Sequence, residues 1–191
     1  MAKNNEPKIV TPEARLLFPN LFEPTSFEGQ GKETYNAILV FPNGTDISAL
    51  VEAVRHAGTA AGLKAGARNP IRDGNEKAEE WGDIFKDAKY IRVSSIFEPV
   101  VVDRRKNPIL DKSSVYSGNY ARAVVRPFAY DTKGNKGVSF GFDAIQITRE
   151  GEHLGGGAAS AALFDDLPIV GIGSVGAEHH KREAALLACA V

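Results

Sequence analysis

Aromatic rings and guanidinium groups alternate with small apolar side chains between Tyr120 and Tyr130. Because successive side chains of a β-strand point to opposite faces, one face of this segment is predicted to be aromatic and basic. That face carries Tyr120, Arg122, Val124, Arg126, Phe128 and Tyr130, and the other carries Ala121, Ala123, Val125, Pro127 and Ala129. Rings stack on unpaired bases and guanidinium groups pair with phosphates, so the first face is typical of a surface that binds single-stranded nucleic acid.

Basic residues elsewhere in the middle of the chain extend this pattern. Tyr90 and Arg92 share a predicted strand face, and three further groups of cations lie in connections: Arg104 with Arg105 and Lys106, then Lys133, then Lys136. Residues 84–149 contain 12 Lys and Arg against six Asp and Glu, although the net charge of the chain is -1. Phosphate binding depends on local basic surface, whereas the near-neutral total also fits an ordinary solvated strand face.

The acidic, histidine and cysteine residues form no recognisable catalytic or metal-binding pattern. Four aspartates that a two-metal nuclease would need to cluster are scattered over predicted turns: Asp103, Asp111, Asp131 and Asp143. Glu178, His179 and His180 have no second cluster at metal-ligand spacing. We therefore expect that the protein is not an enzyme and that it uses no cofactor and no metal.

Alternating apolar patterns predict the elements that position these residues. Strands are expected near residues 8–18, 33–41, 90–97, 99–102, 117–130 and 137–148. One helix is expected between a cap at Thr45 or Asp46 and a stop at Gly62, with an apolar stripe of Ile47, Leu50, Val51, Val54 and Ala61. This order predicts a mainly β protein, a five-stranded oligonucleotide-binding (OB-type) barrel with one packed helix and a C-terminal tail.

The composition predicts one domain followed by a tail. Residues 1–154 are expected to form the OB-type domain, and residues 155–191 a Gly-rich linker and tail that begins with three glycines. No apolar run is long enough for a membrane span, and no apolar signal core is present, so no membrane association is expected. The single cysteine, Cys189, is compatible with a reducing cytoplasm.

Several stretches of the sequence resemble a known family. The run 116–123, the segment 128–130, the turn 134–137 and the run 149–156 are similar to phage single-stranded DNA-binding proteins, the OB-fold proteins of short-tailed-phage replication forks. Residues 71–74, Ile-Arg-Asp-Gly, and residues 98–103 are similar to the same family. The resemblance extends over roughly residues 7–167 and is most specific in residues 116–156.

The resemblance implies sequence-tolerant binding of single-stranded DNA in phage replication and recombination, within the cytoplasm of a bacterial host. It also implies contacts with a replicative polymerase and a helicase-primase through an acidic aromatic tail, which Phe164, Asp165 and Asp166 resemble. The chain continues for 25 residues after Asp166. The sequence leaves a homodimer open, and it leaves one rival function, a β-rich phage structural or interaction module that binds no nucleic acid.

Overall fold

The computed structural model describes residues 7–27, 30–64, 66–132 and 134–154. These residues form eight strands and two α-helices. In chain order the elements are β1 (Ile9–Val10), β2 (Ala14–Phe27), β3 (Gln30–Phe41), α1 (Ser48–Ala60), β4 (Ile71–Asp73), α2 (Ala78–Trp81), β5 (Lys89–Ser95), β6 (Val100–Val102), β7 (Tyr120–Thr132) and β8 (Asn135–Arg149). Among these described residues, no helix is long and apolar enough to cross a membrane.

Five of the strands pair in a ring. The order is β2, β3, β5, β8 and β7, and β7 pairs again with β2, where Ala14 lies opposite Ala121. All of these pairings are antiparallel except that of β5 with β8, in which Val93 lies opposite Phe140. The three short strands β1, β4 and β6 add to β7, β5 and β8. The mainly β class and the OB-type arrangement are therefore confirmed, and the short strands explain why there are more than five.

Burial along β7 follows the parity that the sequence predicts. The inner positions Ala121, Ala123 and Val125 are at most 1% exposed and belong to the core inside the ring. The larger side chains between them remain partly or fully exposed. A β-bulge between Val124 and Val125 shifts the pairing with β8 without reversing this burial pattern. Small side chains inside and large ones outside thus fix which face of β7 meets solvent.

Helix α1 lies where it was predicted, and three of the five residues of the predicted stripe face the core: Leu50 is buried, and Ile47 and Val54 pack against the core cluster. Its buried residues are Leu50, Ala53 and Ala57, whereas Val51 is 50% exposed, so the prediction that Val51 lies on the buried stripe was wrong. Alanines let the helix approach β7 and β8 closely, and the position of Val51 turns away from that contact. The N-cap residue is Ile47, which makes no side-chain cap, so the expected cap at Thr45 or Asp46 was wrong in position. The Asp46 carboxylate, one residue earlier, accepts the N–H of Ser48 at 2.9 Å.

The segment between α1 and β5 forms structure that its turn-rich sequence did not predict. Strand β4, a 3₁₀ turn at Gly74–Glu76 and α2 cover the outside of β3 and β5 over a second apolar cluster. Gly74 allows the segment to approach the residues before β5 closely, because a Cβ atom there would lie 2.1 Å from the Phe85 oxygen and 2.9 Å from the Ala88 oxygen. Its own N–H donates to that Ala88 oxygen at 2.8 Å. The segment is therefore anchored to the sheet by direct backbone contact.

Replacing Gly74 tests this anchor. We expect Gly74→Ala to lower the free energy of unfolding by about 1–3 kcal/mol, because the backbone must move to admit the methyl group. The matched control is Gly58→Ala in α1, where the added Cβ meets only Val138 at 3.8 Å and Leu63 at 4.0 Å. A helical glycine-to-alanine change of that kind should be neutral or stabilising by about 0.5–1 kcal/mol. Equal urea midpoints for the two variants would contradict the anchor.

Candidate nucleic-acid interface

Three adjoining cavities form one groove over the outside of the ring. The cavity volumes are about 650, 530 and 320 Å³. Trp81 and Arg92 line both the first and the second, Thr34 and Ser94 line the second and the third, and Phe128 lines the first and the third. We call them the cationic, polar and apolar sections of the groove.

The cationic section concentrates positive charge. Its lining includes four cations, Arg68, Arg72, Lys77 and Arg92, and one carboxylate, Glu80, which pairs with Lys77 at 2.5 Å. Arg68, Arg72 and Arg92 are exposed and have no carboxylate partner within the described part of the chain. Three uncompensated guanidinium groups on one surface create a positive potential that attracts phosphates, even though the whole chain carries a net charge of -1.

Backbone contacts bring two of these arginines to the groove. The Arg68 N–H donates to the Lys136 oxygen at 2.9 Å, and the Arg68 oxygen accepts the Val138 N–H at 3.0 Å. Gly137 allows this approach, because a Cβ atom there would lie 2.7 Å from the Arg68 oxygen. Arg72 lies on β4 opposite Tyr90 of β5. The loop before β4 and β4 itself therefore complete a charged wall beside the ring.

Aromatic rings lie along the same wall. Trp81 is partly exposed, and its ring meets the edges or faces of Phe18 at 5.7 Å and Phe85 at 5.3 Å between ring centroids. The Lys77 Nζ lies 4.9 Å from the centre of the Trp81 ring. Phe18 is 48% exposed and has a backbone φ of 48°, a left-handed conformation that is strained for a bulky residue. Strain of this kind is often found at functional sites.

The structure places part of the predicted face in the groove. Arg92, Phe128 and Tyr130 all line the cationic section. Tyr130 approaches the loop of Arg68, since its hydroxyl lies 3.0 Å from the position that a Gly137 Cβ would occupy. Partly exposed rings and uncompensated guanidinium groups are thus mixed here, as the sequence predicts for a single-strand surface.

Tyr90 requires a correction. It is 5% exposed and packs edge-on against Phe85, with 5.4 Å between ring centroids, and against Trp81 at 6.2 Å. No open face of its ring remains for a base to stack on. The strand alternation was interpreted correctly, but the missed α2 segment covers this part of the sheet. Tyr90 supports Trp81 from below and is not itself a stacking surface.

Tyr120 does not line the groove, and two arginines contact its ring. The guanidinium carbon of Arg149 lies 3.2 Å from the ring centre and that of Arg15 lies 4.5 Å from it. A hydrogen bond from Arg15, aided by the charges of both arginines, lowers the pKa of the Tyr120 phenol. The expectation that a base stacks on Tyr120 stays a prediction, and such stacking requires that a guanidinium group leave the ring.

Arg122 and the predicted basic loop lie near Tyr120 and not near Tyr130. Arg122 is opposite Gln146 of β8, and the Gln146 amide donates to the oxygens of Asp103 and Arg104 at 3.3 Å. Arg104, Arg105 and Lys106 are exposed in this turn. Ten residues of extended strand span about 33 Å, so the two ends of β7 serve separate surfaces. The residues predicted as one site therefore belong to two places. One is the groove, and the other is the Arg122 surface, which consists of Arg122, Arg104, Arg105 and Lys106.

The remaining predicted cations are paired or lie outside the described residues. Arg126 contacts Asp143 at 2.8 Å, and Lys136 contacts Asp131 at 2.9 Å. Lys133 falls outside the described residues, as do the tail residues Phe164, Asp165 and Asp166 and the predicted linker. Within the described ranges, no three His, Cys, Asp or Glu side chains are grouped so as to hold a metal ion.

Several groove residues were not predicted from the sequence, among them Phe18, Arg68, Arg72 and Lys77. Arg68, Arg72 and Lys77 had a weak signal, because residues 67–83 are polar and turn-rich and show no periodicity. The tetrapeptide from Ile71 to Gly74 is one of the stretches that resemble the phage family. Within it, Arg72 lines the cationic section, and Gly74 allows the close backbone contact with Phe85 and Ala88.

A family model and a curated relative each match most of the chain. A family model described as the single-stranded DNA-binding protein of Enterobacter phage Enc34 matches residues 7–170. A curated protein called p50, from Acyrthosiphon pisum secondary endosymbiont phage 1, is 36% identical over 179 residues, which cover 84% of this chain and 94% of p50.

Solved structures share the fold at lower sequence identity. The single-stranded DNA-binding protein of bacteriophage Enc34, in complex with single-stranded DNA, superposes with a TM-score of 0.71 at 19% identity, covering 78% of this chain and 89% of that one. The gp2.5 single-stranded DNA-binding protein of bacteriophage T7 gives a TM-score of 0.58 at 15% identity, with coverages of 87% and 100%. The names of these proteins describe DNA binding and no catalysis, in agreement with the expected non-enzymatic role.

The contacts around Tyr120 generate a pH-dependent prediction. A hydrogen bond from Thr148, together with Arg149, lowers the pKa of Glu13 from its ordinary value of 4.5. The lowered pKa stabilises the fold above pH 4.5, and this contribution is lost as the pH falls through the folded-state value. We expect Glu13→Gln to cost less than about 1 kcal/mol of unfolding free energy at pH 7, because the pair is partly exposed.

The difference between Glu13→Gln and the wild type should shrink as the pH is lowered below 4.5 in denaturant titrations. The control is Glu98→Gln, since Glu98 is exposed and makes no ion pair within the described residues. A cost for Glu13→Gln that stays constant between neutral and acid pH would contradict this assignment.

Proposed function

The chain belongs to the single-stranded DNA-binding protein family of phage Enc34, and we propose that it binds single-stranded DNA with little sequence preference through the groove. One observation supports this most strongly: Arg68, Arg72 and Arg92, which have no carboxylate partner among the described residues, lie beside the rings of Trp81 and Phe128. Guanidinium groups pair with phosphates, and aromatic rings stack on any of the four bases.

In the proposed mechanism, arginines bind the DNA backbone and aromatic rings bind the bases. Arg68, Arg72 and Arg92 hold consecutive phosphates, while bases stack on Trp81, Phe128 and Tyr130. Each stacked base contributes about 1–3 kcal/mol, and the stacking does not distinguish sequences. A duplex keeps its bases stacked on one another and cannot offer them to these rings. The groove therefore favours a single strand over the matching duplex.

We further propose a role in phage DNA replication and recombination inside the bacterial host. The family membership supports this role, and the resemblance of Phe164, Asp165 and Asp166 to an acidic aromatic tail supports contacts with a polymerase and a helicase-primase. A homodimer also stays a proposal. Pull-down of the host and phage replication proteins by the full chain, compared with a chain ending before residue 155, tests the tail.

The Arg122 surface is the rival position for DNA. It was predicted to bind phosphates through Arg122, Arg104, Arg105 and Lys106, and all four side chains are exposed. Its predicted ring, Tyr120, is contacted by Arg149 and Arg15, which a stacking base would have to displace. Substitutions on the two surfaces can therefore separate them.

Arginine substitutions should show which surface binds DNA. We expect Arg72→Ala and Arg92→Ala each to weaken binding of a labelled mixed-sequence single strand. Each should also reduce the slope of log affinity against log salt by about 0.7, the value for one lost phosphate contact on a single strand. Fluorescence anisotropy at several salt concentrations, with the matching duplex in parallel, measures both effects.

Two controls make the result specific. Arg55→Ala removes an exposed arginine of α1 that pairs with Glu52, and it should leave affinity and slope unchanged. Arg122→Ala reports on the rival surface. A loss for Arg122→Ala with none for Arg72→Ala or Arg92→Ala would move the DNA site to that surface. A wild type that binds neither DNA form would favour the structural-module function.

Trp81 provides an intrinsic probe of the groove. It is the single tryptophan of the chain and lines both the cationic and the polar sections. A base that stacks on its ring should quench its fluorescence, and the quench should saturate at the same DNA concentration as the anisotropy signal. Tight binding without any change in Trp81 emission would place the strand elsewhere.

A further inference from the structure

The apolar section of the groove has a different character from the cationic section. Its volume is about 320 Å³, and its lining is mainly apolar, with Ile96, Phe97, Pro127 and Phe128 among the residues. Phe97 is 71% exposed and Ile96 is 51% exposed, which is unusual for such large apolar side chains. Both follow directly after β5, so the end of that strand presents an open apolar wall.

The charge at this section is compensated. Its one cation, Arg126, contacts Asp143 at 2.8 Å, and the same carboxylate contacts Lys8 at 3.0 Å. By contrast, the three arginines of the cationic section have no carboxylate partner within the described ranges. A phosphate gains little from an arginine that already has a carboxylate partner, so the apolar section is not built for the DNA backbone.

The remaining lining suits a flat ligand with a polar edge. Thr34, Ser94 and Ser95 add hydroxyl groups that can donate or accept hydrogen bonds. The Ser95 hydroxyl also accepts the Phe97 N–H at 3.1 Å, which fixes the turn that carries Phe97. Opposite Ser94, Gly141 presents no side chain to the section, and a Cβ atom there would be in ordinary van der Waals contact with the Phe128 ring at 3.7 Å.

We propose that the apolar section takes one nucleobase of the bound strand, with Phe97 and Phe128 as its aromatic contacts. This proposal rests on the proposed function, because the section is continuous with the cationic section through Phe128 and with the polar section through Thr34 and Ser94. A strand whose phosphates follow Arg92 passes its next base toward Phe97. The hydroxyl groups can meet the edge of any base, so the pocket selects a base over a phosphate and not one base over another.

Phe97→Ala, measured with an abasic series, tests the pocket. We expect the variant to bind a short single strand roughly ten-fold more weakly, as for the loss of one stacked base, with an unchanged salt slope. Removing single bases from the oligonucleotide in turn should reveal one position at which the wild type loses affinity and Phe97→Ala does not. The matched control is Leu110→Ala, since Leu110 is 90% exposed and does not line the section.

The outcomes separate this proposal from the function on which it rests. If Phe97→Ala and Leu110→Ala both bind like the wild type while Arg72→Ala and Arg92→Ala bind weakly, the base pocket is wrong and the groove stands. A weakened Phe97→Ala that loses the same affinity at every abasic position as the wild type would also overturn it. If the wild type does not bind single strands, both the pocket and the proposed function fail.

Discussion

The geometry of the groove depends on the side-chain parity of β7. This strand closes the ring by pairing with both β2 and β8, and only small side chains such as Ala121 and Ala123 fit on its inner face. Strand alternation then forces Arg126, Phe128 and Tyr130 outward, where they meet β5 and the loop before β4. A slip of one residue would bury guanidinium groups and open the core, so the fold and the position of the rings are fixed together.

The second requirement is the segment between α1 and β5. It contributes Arg68, Arg72, Lys77 and Trp81 to the groove, and it is held to the sheet by backbone contacts at Gly74 and by the ion pair of Asp73 with Lys89 at 2.6 Å. A chain with a net charge of -1 therefore still presents a concentrated basic surface, because this segment places its cations beside Arg92 of β5.

Prediction from the sequence succeeded where periodicity was strong and failed where contacts were long-range. The alternation along 120–130 predicted both the strand and its buried face, and the order of strands predicted the OB-type arrangement. It could not show that Arg149 and Arg15, distant in sequence from Tyr120, contact its ring. It also could not show that α2 covers Tyr90, since short turn-rich segments carry no periodic signal. The Arg122 surface and the groove looked like one site because strand parity gives the face and not the position along it.

The most direct test of the groove as the DNA site is ultraviolet cross-linking of the full chain to oligothymidine, with mass-spectrometric assignment of the cross-linked residues. Bases stacked in the groove should cross-link to Trp81, Phe128 or Tyr130, and an excess of unlabelled single strand should abolish the products. Cross-links confined to Tyr116, Tyr120 or the turn at residues 104–106 would contradict the account and assign DNA binding to the Arg122 surface.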